Sequence, residues 1–213
     1  MAKTTAALLS FAGSGQIAKT QVYSSWRGIP YARRYTVPAN PNTTGQQSTR
    51  SAFSDFSNIW KNASSLLQAP WTLFATGQPF YNRNAFIGQN VKAVRAALNL
   101  NAIVWSPGAK GGVAPSAIVP AGAHAAVTVT FTNPTPPTGW VIAAAIAYAI
   151  KDGAPGSLAD FLTYSAEDTV TFNAPVLALP AAGDYQIGGV LKWTKPDTTT
   201  AYSPSLNVQF TAT

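Results

Sequence analysis

The chain has 213 residues, 46% of them apolar and only 10% charged, with no cysteine and a formal net charge of +7. That length buries a core without staples, and the missing thiols exclude a disulfide scaffold and any zinc or iron–sulfur centre held by cysteine. One histidine and seven carboxylates leave few acid–base constellations open, so the composition points to a protein that binds or builds, without enzymatic activity and with no cofactor.

The charge is unevenly placed. Residues 1–110 carry eleven Lys and Arg against Asp55 alone, a balance of +10, whereas residues 111–213 carry three Lys against six acids, a balance of −3. A Pro/Gly-rich stretch from Ser106 to Pro115 falls where the sign changes. The sequence therefore places a boundary near residue 110, between a basic domain over 1–110 and a second domain over 111–213. The apolar run Ala6 to Phe11 is shorter than a secretory core, and Trp140 to Ile150 is shorter than a membrane span. The chain reads as made in a cytoplasm, soluble and without a membrane partner.

In chain order, Gln16 to Trp26 and Ile29 to Val37 are two aromatic-rich, β-prone runs joined at Arg27-Gly28. They predict a hairpin in which Gly28 supplies a positive φ and Pro30 keeps its strand at an edge. Pro38-Ala39-Asn40-Pro41-Asn42 ends it. A helix follows, capped by Asn42 or Thr43, with Phe53, Phe56, Trp60, Ala63 and Leu67 on one face, and it stops before Pro70. A second helical pattern over Asn82 to Asn99 turns Phe86, Ile87, Val91, Val94 and Leu98 inward and Lys92 and Arg95 outward.

The last hundred residues read as all-β. Ala125, Val127, Val129 and Phe131 alternate with Thr128, Thr130 and Thr132, and the Asn133 to Gly139 segment stops that strand. Trp140 to Lys151 reads as a buried strand, although its alanine-rich sequence also fits a helix. Phe161 to Tyr164, Thr169 to Asn173, Asp184 to Thr194 and Ser205 to Thr211 supply further strands, with Tyr185, Ile187, Gly189, Leu191 and Trp193 sharing a face. Short strands with regular turn signals predict a sandwich. The fold class is α+β, a β-hairpin and a helix pair followed by that sandwich.

Catalytic motifs are weak. His124 precedes a strand with no second ligand nearby, and Glu167-Asp168 are neighbours that point apart on a strand or sit in a turn. A hydrolase would require Glu167 and Asp160 to face each other across a cleft. Gly108 to Gly112 lacks the Gly-Lys-Ser/Thr ending of a phosphate loop and reads as linker. The interleaved run Tyr23, Trp26, Arg27, Tyr31, Arg33, Arg34 and Tyr35 is the strongest functional signal. Cations beside stacking rings serve single-stranded nucleic acid. They also serve as anchors that dock an arm on an acidic neighbouring subunit. A third reading packs the rings on the two helices and leaves the arginines in water. Docking is favoured, because +10 on 110 residues exceeds what solubility requires.

The succession of Gly15, a β-run, Trp26-Arg27-Gly28-Ile29-Pro30-Tyr31 with Arg33, Asn40-Pro41-x-Thr43, Arg50 opening a helix, a Trp-centred helix pair and Tyr81-Asn82-x-x-x-Phe86 resembles a family of tailed-phage and prophage virion proteins. The resemblance covers about the first hundred residues. It implies a structural part of a phage particle, located in the virion, with an Ig-like sandwich appended and the major capsid or tail protein as partner. No catalytic residues come with it. A compact outer domain on a docking arm suits a symmetric lattice of repeated sites, so a homo-oligomeric capsid decoration or cement protein is the favoured role. A tail or neck protein is the nearest alternative, and a nucleic-acid-binding protein is the second class.

Overall fold

The computed structural model describes residues 2–3, 15–26, 29–37, 42–97, 102–109, 112–151 and 163–213. Its fold is α+β, and the chain divides into two units, Met1–Asn42 and Thr43–Thr213.

The first unit is an antiparallel sheet in the order β1-β4-β3-β2, built from Ala2–Lys3, Gly15–Ile17, Gln21–Trp26 and Ile29–Arg34 as β1 to β4. The predicted hairpin is β3 and β4, paired from Gln21 opposite Arg34 to Trp26 opposite Ile29. The run Gln16 to Trp26 is broken, however, by a tight turn. Thr20 N–H donates to Ile17 O across Ala18 and Lys19, both at positive φ (45° and 55°), the backbone of a type I′ hairpin turn. Neither residue is the Gly or Asn that marks such turns, so the sequence carried no signal for it.

The second unit starts with three helices, α1 (Thr44–Lys61), α2 (Ser65–Ala75) and α3 (Asn82–Ala97). Thr43 caps α1 as expected, its side chain accepting from Gln46 N–H. The single helix predicted up to Pro70 is instead two. The chain breaks at Asn62 to Ser64, Ser64 caps α2 through Leu67 N–H, and Pro70 lies inside α2. Proline has no N–H for the carbonyl four residues back, and that carbonyl, Leu66 O, accepts the hydroxyl of Tyr148 at 2.8 Å. A distant residue thus makes the proline tolerable. Phe53, expected inside, is 55% exposed.

Nine strands follow among the described residues. Pro107–Ala109 (β5), Val141–Lys151 (β8), Thr163–Asp168 (β9), Gly183–Thr194 (β11) and Thr200–Pro204 (β12) form a sheet in the order β5-β12-β11-β8-β9, and Leu206–Ala212 (β13) also pairs with β11. Ala117–Ala121 (β6), Val127–Thr132 (β7) and Val176–Leu177 (β10) form a second sheet in the order β10-β7-β6. All the pairings are antiparallel. Two predictions miss. Thr169 to Asn173 is a loop, and Ala125 lies exposed in a 3-10 turn over His124–Ala126 instead of beginning the strand.

The larger sheet is covered on both faces. Ala145, Ala147, Ala149, Tyr185, Ile187, Leu191 and Trp193 meet Ile118, Val127, Val129 and Phe131 of the small sheet. The alternate residues Ala144, Ile146, Tyr148, Ile150 and Val190 join Phe56, Ile59, Leu67, Trp71, Phe86 and Val94 of the helices. That explains the unbroken apolar run of β8, since a strand buried on both sides cannot alternate with polar residues. It also moves the boundary. The helices and the strands after residue 110 share one core, so the chain divides after Asn42 and not near residue 110. The segment entering the linker is tied in as well: Trp71 Nε1 donates to Trp105 O at 2.8 Å, buried Asn90 bonds both backbone groups of Val104, and Ser106 Oγ donates to Ser203 O at 2.6 Å.

Candidate attachment surface

Of the seven residues singled out in sequence, Arg27 lies outside the described residues, and Trp26 is placed only by its backbone pairing with Ile29. The register decides the rest. Residues opposite each other across β3 and β4 share a face and successive residues alternate, so Tyr23, opposite Ala32, falls on one face with Arg34, opposite Gln21. Tyr31 and Arg33 fall on the other, and Tyr35, whose N–H donates to Thr20 O at 2.8 Å, continues that series. The described residues of the run therefore do not share one face of the hairpin. The hairpin carries a ring and a cation on each side, because the register pairs odd positions of β3 with even positions of β4 and so turns Tyr23 away from Tyr31 and Tyr35, although all three positions are odd. Tyr23, Tyr31 and Tyr35 are half-buried and Arg33 and Arg34 exposed. Tyr23 Oη donates to Gln21 Oε1 at 2.7 Å on its own face.

The outer strands are short. Strand β2 covers β3 only at Gln21, Val22 and Tyr23, and β1 covers β4 only at Tyr31 and Ala32. Among the described residues, the β3 edge at Ser24 to Trp26 and the β4 edge at Arg33 and Arg34 have no strand beside them.

The basic excess also divides. Residues 1–42 carry five Lys and Arg and no acid, a balance of +5. Residues 43–97 carry Arg50, Lys61, Arg83, Lys92 and Arg95, all exposed, against Asp55, which is buried. Spacings of eleven and three residues put Arg50 with Lys61 on the outer side of α1 and Lys92 with Arg95 on that of α3.

The carboxylates have structural partners. Glu167 lies 3.8 Å from Lys192. Asp168 accepts the N–H groups of Val170, Thr171, Asn173 and Ala174 and the Thr171 hydroxyl. Desolvation pushes its pKa up, but those hydrogen bonds outweigh it and hold the carboxyl well below the usual range. Asp160 lies outside the described residues. The backbone N–H of His124 donates to Thr213 O, and its Nδ1 sits 3.0 Å from the same oxygen. Burial first, then the nearby Tyr202 and Glu167, push the Tyr148 hydroxyl up. Among the described residues no three His, Cys, Asp or Glu side chains come together, and no helix is long and apolar enough to cross a membrane. Compared with protein-family models, curated proteins and solved structures, the chain matches none.

Proposed function

We propose that the chain is a non-enzymatic structural protein of a tailed-phage virion, a capsid decoration protein that docks through residues 1–42 on the major capsid protein. The observation that carries this reading is the hairpin unit itself, with five cations, no acid and, among the described residues, two sheet edges left partly uncovered. A partner strand added at such an edge meets side chains on both faces at once. Edge-on docking along β4 therefore meets Arg34 on one face and Arg33 on the other together, which docking of one flat face does not.

The second unit supports an Ig-like reading of its sandwich. Labelled A to G, strands β6, β7 and β10 take the places A, B and E, and β8, β9, β11 and β12/β13 take C, C′, F and G, which reproduces an A-B-E sheet facing a G-F-C-C′ sheet. Near the start of the F strand, Tyr185 Oη donates to Ala181 O at 2.9 Å, the arrangement of a tyrosine corner. The core departs from antibody domains in having alanines on the C strand, Trp193 from the F strand and no disulfide.

The test is cosedimentation of the full chain with particles that lack it. Binding is expected, with R33E/R34E abolishing it and K92E/R95E leaving it intact. Binding indifferent to R33E/R34E overturns the proposed contact. A second reading rests on the cationic outer sides of α1 and α3, which fit a phosphate backbone. On that reading K92E/R95E reduces DNA affinity and flattens its fall with log salt, whereas on the docking reading the chain holds no DNA at physiological salt.

A further inference from the structure

The second unit holds an open groove of about 540 Å³ between α2 and the β11–β12 hairpin, within the size range of small-ligand sites. Ser65, Gln68 and Thr72 come from one side of α2 and Thr76 from its C-terminal cap, and Lys192 and Tyr202 from the sheet. We infer that this groove binds a neutral oligosaccharide.

Charge is the first argument. The one cation in the lining, Lys192, is paired with Glu167 at 3.8 Å. A ligand of either sign would have to compete with that partner, whereas a neutral one leaves the pair intact. Hydrogen-bonding capacity is the second. Among the described residues neither Tyr202 Oη nor Ser65 Oγ has a partner. Gln68 Nε2 donates to Ala63 O, which leaves its Oε1 free to accept, and Thr76 Oγ1 donates to Thr72 O and keeps its lone pairs. The groove thus offers donors and acceptors side by side, as a ring of sugar hydroxyls requires. Shape is the third. Ala69 and Leu73 add apolar groups to the lining, a surface for the C–H face of a pyranose. The Tyr202 hydroxyl is protonated at neutral pH like any tyrosine, and desolvation and Glu167 push its pKa higher still.

The inference rests on the groove alone and stands apart from the virion reading. It is tested by probing the full chain on an array of neutral and acidic glycans, then by titrating the best neutral trisaccharide by calorimetry. Neutral glycans are expected to be retained, with a Kd on the order of 1 mM or below. Tyr202→Phe should weaken binding about tenfold, and Thr76→Trp at the exposed rim should abolish it with the thermal midpoint unchanged. No retention, retention of acidic glycans alone, or binding unchanged in a folded Thr76→Trp protein overturns it.

Discussion

Glycine and aspartate decide most at the scale of single residues. A Cβ on Gly188 would overlap the Trp105 indole, which stacks on Tyr148 at 5.6 Å. Gly88 on the outer side of α3 has nothing within 4 Å of such an atom. Gly188→Ala should therefore cost about 1–3 kcal/mol through overpacking, while Gly88→Ala should gain about 0.5–1 kcal/mol from helix propensity. Thermal unfolding reads both, and equal effects would contradict the two-sided core. Asp168 gives a pH signature. Its pKa is depressed in the folded state, so its contribution is complete above the unfolded value of about 4 and is lost as the pH falls below it. The unfolding midpoint should drop between about pH 5 and 2, and Asp168→Asn should be less stable at neutral pH but show a shallower drop.

At the scale of elements, the sharpest device is the proline in α2. Tyr148→Phe should strand the Leu66 carbonyl that Pro70 leaves open, at a cost of about 1–3 kcal/mol. In a Pro70→Ala background alanine restores the missing N–H, and the same change should cost clearly less. Additive costs in a double-mutant cycle would refute the coupling. The pair also shows where sequence reasoning stops. The periodicity of Phe56, Trp60, Phe86 and Val94 was legible because helix faces are local patterns, and so was the inward face of β11 from Tyr185 to Trp193. The place of Pro70 inside a helix was not legible, because proline reads as a stop until a hydroxyl from residue 148 arrives. The loop over 169–173 was misread as a strand because its β-prone residues are held by one aspartate just before them. The β2–β3 turn escaped for the opposite reason, with Ala18 and Lys19 in a conformation that neither advertises.

For the whole molecule, the +10 and −3 halves of the sequence are not its physical parts. The cations divide between the hairpin unit and the helices, and the helices belong to the same core as the acidic strands. A chain cut at residue 110 should expose Ala144, Ile146, Tyr148, Ile150 and Val190. It should aggregate or bind a hydrophobic dye, whereas residues 43–213 should unfold in one cooperative step. A stable, dye-silent 111–213 fragment would contradict the shared core. The candidate surface was legible only as far as the hairpin residues could be named, because the division of rings and cations between two faces depends on register. The measurement that bears most directly on the central claim is the copy number of this protein in purified phage particles, by quantitative mass spectrometry with imaging of its position. Decoration predicts roughly one copy per major capsid subunit, spread over the capsid surface. A count of about a dozen or fewer at one vertex or on the tail, or absence from the particle, would contradict it.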